Sequence, residues 1–285
     1  MAVTVTLALV TIGGAFHLFL EQSLRASLNT GLEGVASTAA ESVHRFVSSS
    51  LRDARAVATS LPTQVIVSRD EAAAEAHLAR MCEIFPQFDN GLFILDAQGE
   101  FLADFPRHDA MRGVSFAFRD YYQRTIQTRQ GVVGRPYESE RSNEPVCTFT
   151  APLFDAQGNL LGLVGCSVKL LGDEALSVLH GQTIGETGYI YLIDQTRLMI
   201  MHPSNERILK RNSPPGANLM FDQALKGFEG VGDTVNSRGV PMVAAFKRVP
   251  ETDWILVAQQ PRQEALAPLR NMRVRLAGGY WWGPC

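Results

Sequence analysis

Apolar and polar positions follow three different rhythms along this chain. Met1 to Leu20 carries no charged residue and is mostly Val, Leu, Ile, Ala and Phe. About 20 apolar residues is the length that spans a bilayer as a helix. An uncleaved membrane anchor over 1–20 fits better than a signal peptide, which needs a basic start and a small-residue cleavage site, and better than a buried helix. No Lys or Arg precedes the run, so its orientation is undetermined. From Glu21 to Leu61 there is no proline. Apolar residues there recur at helical spacing, through Leu24, Leu28, Leu32, Val35, Ala39, Val43, Phe46, Leu51, Ala54, Ala58 and Leu61. That predicts one long amphipathic helix over 21–62, closed by Pro62. Its stripe is expected to cover a core, and its length leaves room for pairing with a second copy. A further helix is expected from Arg69 to Phe85, before Pro86.

Beyond Pro86 the period drops to two. Gly91-Leu92-Phe93-Ile94-Leu95-Asp96 turns at Ala97-Gln98-Gly99 and resumes at Phe101-Leu102-Ala103, which reads as a β-hairpin. About a hundred residues later, Gly188-Tyr189-Ile190-Tyr191-Leu192-Ile193-Asp194 turns and runs through Leu198-Met199-Ile200-Met201 to Pro203. Gly131-Val132-Val133-Gly134 is answered by Gly230-Val231-Gly232, and Glu144-Pro145-Val146 by Val240-Pro241-Met242. One module has been used twice. Each copy reads as hairpin, irregular crossover, short helix (Arg119–Thr128; Leu219–Lys226) and further strands. Those strands are Pro145–Phe154 and Asn159–Leu170 in the first copy, and Gly230–Ser237, Val240–Val249 and Trp254–Gln260 in the second. The fold class is therefore α+β: a long N-terminal helix and two tandem modules, each an antiparallel sheet of about five strands with flanking helices. The expected boundaries are 63–172 for the first module, 173–262 for the second, and 263–285 for a return helix and end segment. Glu174 to His180 is expected to link the modules as a helix. The repeated Asp-Ala-Gln-Gly at 96–99 and 155–158 is turn chemistry, since a calcium loop needs many more oxygen ligands.

Composition narrows the function. A 46% hydrophobic and 19% charged chain has the makings of a core and no signature of disorder. A formal net charge of −3 argues against a nucleic-acid partner. No phosphate loop, nucleophile elbow or metal-binding His-Glu pair is present, so neither an enzyme nor a cofactor is expected. The four cysteines, Cys82, Cys147, Cys166 and Cys285, lack metal-ligand spacing. A hairpin turn centred between Ala156 and Gln157 would set Cys147 opposite Cys166, Thr148 opposite Gly165 and Val146 opposite Ser167. Both thiols would then lie on the face away from Ser167. Two buried, reduced thiols are preferred there over a disulfide, which would be strained across directly paired strands.

These residues resemble a family. The membrane run, the long helix and two PAS-like modules are similar to the double Cache extracytoplasmic sensors of bacterial receptors. So is the phrase Gly185-Glu186-Thr187-Gly188-Tyr189-Ile190-Tyr191-Leu192-Ile193-Asp194, which resembles the opening of that family's membrane-proximal module. Phe118-Arg119-Asp120-Tyr121-Tyr122 looks like the segment that enters the distal pocket. The resemblance implies a ligand-sensing region on the periplasmic or extracellular side of the bacterial inner membrane, dimeric through the long helix. A small molecule would bind in the distal module. The output would be a histidine kinase, a chemotaxis domain or a cyclic-dinucleotide enzyme such as a diguanylate cyclase. None of these is in this sequence, which stops where a second membrane helix is expected and so reads as a fragment or a truncated frame.

By the same resemblance Arg119 is expected to hold a carboxylate. Tyr122 matches an aromatic beside it, and Tyr121 stands where a Trp is typical. Val114 replaces an expected Tyr, and Ser167 replaces the acid that would meet an ammonium group. Arg119 with Tyr121 and Tyr122 offers a fork of donors and two hydroxyls, suited to a small anion without an ammonium group. Tyr137 and Thr148 are candidates for the same cavity. Pairing of Arg119 with a surface acid is the competing reading. Arg141 is expected on a solvated loop, and Tyr189, Tyr191 and Trp254 in a core. The alternative function is a membrane-anchored structural or interaction module without a small ligand.

Overall fold

The computed structural model describes residues 2–267 except 173–175, 177, 178, 180, 212 and 213, and omits the side chains of residues 2–11 and 17. Helix α1 (Ala2–Ser60) is a single element of 59 residues, about 88 Å long at 1.5 Å per residue. It includes the N-terminal apolar run. Among the described residues, no helix is long and apolar enough to cross a membrane. Pro62 ends α1. The expected second helix comes in two pieces, α2 (Thr63–Val67) and α3 (Glu71–Ile84). Arg69 takes a left-handed φ of 52° between them, and the Asp70 side chain caps α3 by accepting the Ala73 amide.

The first module contains β1 (Gly91–Asp96), β2 (Phe101–Phe105), α4 (Asp120–Thr128), β3 (Tyr137–Glu138), β4 (Pro145–Phe154) and β5 (Leu160–Lys169). They form an antiparallel sheet in the order β2-β1-β5-β4-β3. The second module contains β6 (Thr183–Ile184), β7 (Gly188–Asp194), β8 (Met199–Met201), α5 (Leu219–Leu225), β9 (Gly230–Val235), β10 (Pro241–Arg248) and β11 (Trp254–Pro261), followed by α6 (Arg262–Ala265). Its order is β6-β7-β11-β10-β9, with β8 also on β7, so the repeat read from sequence is a repeat of topology. The sixth strand, β6, was not expected. Its two residues pair with Gly188 and Tyr189, sharing the edge of β7 with β8. The Gly185–Gly188 phrase is the turn between β6 and β7, and Glu264 of α6 accepts the Glu186 and Thr187 amides there. The expected linker helix over 174–180 and the return helix beyond residue 267 lie largely outside the described residues.

Both sheets use their two faces alike. In the first, Leu92, Ile94, Cys147, Phe149, Val164 and Cys166 join one core with α1, while Phe93, Leu95, Tyr121 and Leu163 form a second core with α4. In the second, Ile190, Leu192, Leu256 and Ala258 face α1, and Ile193, Phe221, Phe246 and Val257 pack with α5. The buried stripe of α1 runs Leu32, Ala36, Ala39, Ala40, Val43, Val47, Ala54, Val57 and Ala58. Val35, expected in that stripe, is exposed, and Val47 and Val57 belong to it instead.

The β4–β5 register corrects the sequence reading. Thr148 pairs with Ser167, Cys147 with Val168 and Phe149 with Cys166. The turn is centred on Gln157, since the Asp155 amide donates to the Asn159 carbonyl, and the register shifts again between Leu153 and Phe154. Cys147 and Cys166 are therefore diagonal neighbours on the α1 face, the face away from Ser167. Both are free thiols, as is Cys82.

Candidate ligand-binding site

The first module builds its cavity on the sheet face opposite α1. Its floor is Phe93, whose ring lies over Gly165 on the paired strand, where a side chain would collide with it. α4 approaches closely because Gly134 has no side chain, and a Cβ there would sit 2.9 Å from that of Tyr121. This packing turns Tyr121 inward at 2% exposure, with ring centroids 5.9 Å from both Phe93 and Tyr137. Burial raises the pKa of the Tyr121 and Tyr137 phenols, so both stay protonated at neutral pH. Beneath them runs a hydroxyl chain. Tyr137 Oη lies 3.0 Å from Thr148 Oγ1, which lies 2.8 Å from Ser167 Oγ.

Arg119 precedes α4 as its N-cap residue, and its side chain is 18% exposed. The guanidinium lies over the Tyr137 ring at 4.3 Å and the Phe118 ring at 5.0 Å. One terminal nitrogen donates to Glu140, while the Nε is buried without a partner. The cavity here is about 40 Å³, lined by Tyr121, Tyr137 and Ser167 together with Asn90, Glu140 and Arg141. Thr148 sits behind Tyr137 and Ser167. Tyr122 points elsewhere, giving its hydroxyl to the Ala97 carbonyl at 2.8 Å in the β1–β2 turn.

Sequence reasoning passed over three of these residues. Asn90 donates to Ser139 at 3.1 Å and leaves its Oδ1 buried and unpaired. Glu140 pairs with Arg119. Arg141, expected on a solvated loop, is only 19% exposed and donates to the carboxylate of Asp104 and the carbonyl of Pro106. Asp104, 0% exposed, also takes Arg112 at 2.8 Å. The usable signal was Asp104 itself, an acid inside the apolar run of β2, which requires a cationic partner.

The family model for the Cache domain, dCache_1, matches residues 20–269. The chain belongs to the Cache domain family. The methyl-accepting chemotaxis protein McpG of Pseudomonas putida KT2440 is 22% identical over 152 residues, covering 49% of this chain and 24% of McpG. The chain thus spans about a quarter of that relative's length. The ligand-binding domain of the Pseudomonas fluorescens chemoreceptor CtaA, in complex with L-isoleucine, aligns with a TM-score of 0.65 at 15% identity, over 87% of this chain and 98% of that one. That of the Pseudomonas aeruginosa PAO1 amino acid chemoreceptor PctB, in complex with L-Arg, gives 0.64 at 17% identity, over 85% and 98%. At such identities the likeness is one of fold.

The second Cache module departs from expectation. Trp254 fills the core, 2% exposed, but Tyr189 and Tyr191 line a cavity of about 90 Å³ with His202, Arg207 and Gln259.

Proposed function

We propose that this chain is the ligand-sensing region of a bacterial membrane receptor, held outside the cytoplasm, and that its distal cavity takes a small carboxylate. The carrying observation is the Arg119 Nε, buried without a partner, on a guanidinium that lies over Tyr137, whose ring lines the aromatic cavity. A buried donor left unmade is costly, and a carboxylate would satisfy it through the guanidinium fork. Tyr137 supports the guanidinium at 4.3 Å, and Tyr121 packs beside Tyr137. In this reading the apolar run over 1–20 crosses the membrane, and the long helix carries the signal to an output domain beyond this sequence, with a second copy paired along it. The output classes are those expected of the family.

A second reading of the ligand has its own support. Glu140 already neutralises Arg119, so a simple anion would leave that carboxylate without a partner. A zwitterion would give its carboxylate to Arg119 and its ammonium to Glu140 and the unpaired Asn90 Oδ1. Calorimetry on the purified chain with propionate, L-lactate, L-alanine and L-serine separates the two, since zwitterion-only binding selects the second. In either case Arg119→Ala should weaken binding at least about 30-fold, the loss of one charge-assisted contact. Undiminished binding in that variant removes the site. Silence from all four probes favours the interaction module without a small ligand.

A further inference from the structure

We propose that the membrane-proximal module holds a second ligand site, framed by Tyr189, Tyr191, His202 and Arg207, for a small organic carboxylate with a short apolar body. This is independent of the distal reading. The two cavities occupy equivalent places, because the turns at Asp96 and Asp194 align and bring Phe93 onto Tyr191, Ser167 onto Gln259 and Asp104 onto His202. The last exchange changes the chemistry. In the distal module the buried Asp104 neutralises Arg112 and Arg141. In the proximal module a histidine stands there, and Arg207 has no carboxylate within ion-pairing distance among the described residues. Glu206, its neighbour, turns to Ser204 Oγ at 3.2 Å.

The imidazole sharpens the point. His202 is 6% exposed, and its Nδ1 accepts the Ser204 amide N–H at 2.9 Å. Burial and the charge of Arg207 hold it neutral by lowering its pKa to about 4. A neutral ring that accepts at Nδ1 carries its proton on Nε2. That Nε2–H faces an Arg207 terminal nitrogen at 3.4 Å. Two donors thus converge with no acceptor between them, and one anionic oxygen would serve both. Nearby, the Tyr191 hydroxyl makes no hydrogen bond among the described residues. Ile193, Met199, Phe221 and Val235 make part of the wall apolar, and the exposed Ala217 and Ser237 also line the cavity. Inorganic anions would leave that wall unused, whereas a short alkyl chain covers it.

The test is calorimetry of the full chain with butyrate and isovalerate. Binding should persist in Arg119→Ala and weaken about tenfold or more in Arg207→Gln. Because Arg207 makes no ion pair, the melting temperature of Arg207→Gln should stay close to that of the unaltered chain. Should that variant not fold, Tyr191→Phe, which removes one oxygen and keeps the ring, should weaken binding several-fold. Loss of all binding in Arg119→Ala, undiminished binding in Arg207→Gln and Tyr191→Phe, or no binding of either acid overturns the proposal. A failed distal reading leaves a different trace, namely Arg119→Ala without effect on any probe.

Discussion

Asp104 is the residue on which the wall of the first module's cavity depends. Its carboxylate is fully buried, and Arg112, Arg141 and the His108 amide are its hydrogen-bonding and ionic partners. Without Asp104, Arg112 keeps Glu75 at 2.6 Å, but Arg141 is left half-buried with no carboxylate, and an uncompensated desolvated charge costs more than the pair contributes in net stability. Asp104→Ala should therefore destabilise the fold by about 3–5 kcal/mol in urea unfolding. A loss under about 1 kcal/mol, the range of exposed pairs, would show that water reaches the cluster. At the equivalent position His202 gives a prediction of opposite chemistry. Its folded pKa of about 4 lies below the ordinary 6.5, so as pH falls the unfolded chain takes up the proton first. The stability it contributes is complete above pH 6.5 and is lost as pH falls toward 4. His77, lowered by burial and by Arg80, adds in the same direction, while Asp89 and Asp253, raised by burial, oppose it. Comparing His202→Gln with the unaltered chain isolates the one residue. The variant should lose less stability between pH 6.5 and 4, and an identical slope in both proteins would refute the buried neutral imidazole.

Four hairpins in the two sheets turn by the same device. Asp96, Asp155, Asp194 and Asn236 each accept backbone amides two and four residues on, or four residues on alone in the case of Asp194. The fourth position of each turn takes a positive φ, at Gly99, Gly158, Arg197 and Gly239. Two of these glycines separate backbone strain from steric conflict. Gly99 and Gly158 share a φ of 83°, yet a Cβ on Gly158 would meet nothing within 4 Å while one on Gly99 would meet the Ala117 backbone at 2.9 Å. Gly158→Ala should cost about 1 kcal/mol, the left-handed penalty alone. Gly99→Ala should cost clearly more, and equal losses in thermal unfolding would contradict this account. The elements were legible because each hairpin advertises its turn in sequence and the repeat supplies a second copy of the pattern. The register was not legible. β1–β2, β4–β5 and β7–β8 each carry a shift two residues past the turn, at Leu102, Leu161 and Ile200. The β4–β5 turn is centred on Gln157, half a residue beyond the expected centre, and the bulge adds one unpaired residue without any marker in residue type, so the pairing of Cys147 with Cys166 failed while the assignment of their face held. The cavity was half legible for a related reason. Arg119, Tyr121 and Tyr137 are aromatic and cationic in an obvious cluster, whereas Arg141 looked solvated because its partner Asp104 lies 37 residues upstream.

At the scale of the whole molecule α1 does what neither sheet could do alone. Each sheet has one face covered by its own short helix and crossover, and the other face is closed by the same α1. The resulting core is continuous, from Leu32 near Val231 of the second sheet past Phe46, which packs on Phe149 of the first. Small residues at Ala36, Ala39, Ala40, Ala54 and Ala58 let the helix backbone approach the strands closely. Two separate modules would expose both inner faces, so unfolding one should strip the helix from the other and unfold it as well. Two native probes report the modules separately. Trp254, 2% exposed in the second, can be followed by fluorescence once Trp281 and Trp282 are replaced by Phe. Cys147 and Cys166, 2% and 0% exposed in the first, can be followed by thiol labelling once Cys82 and Cys285 are replaced by Ser. The two urea transitions should share one midpoint. Thiols that label well before the Trp254 signal changes, or well after, would mean that the modules unfold independently. In that event the long helix joins the two modules without coupling their stabilities, and a ligand held in the first module's cavity would leave the second module's transition where it was.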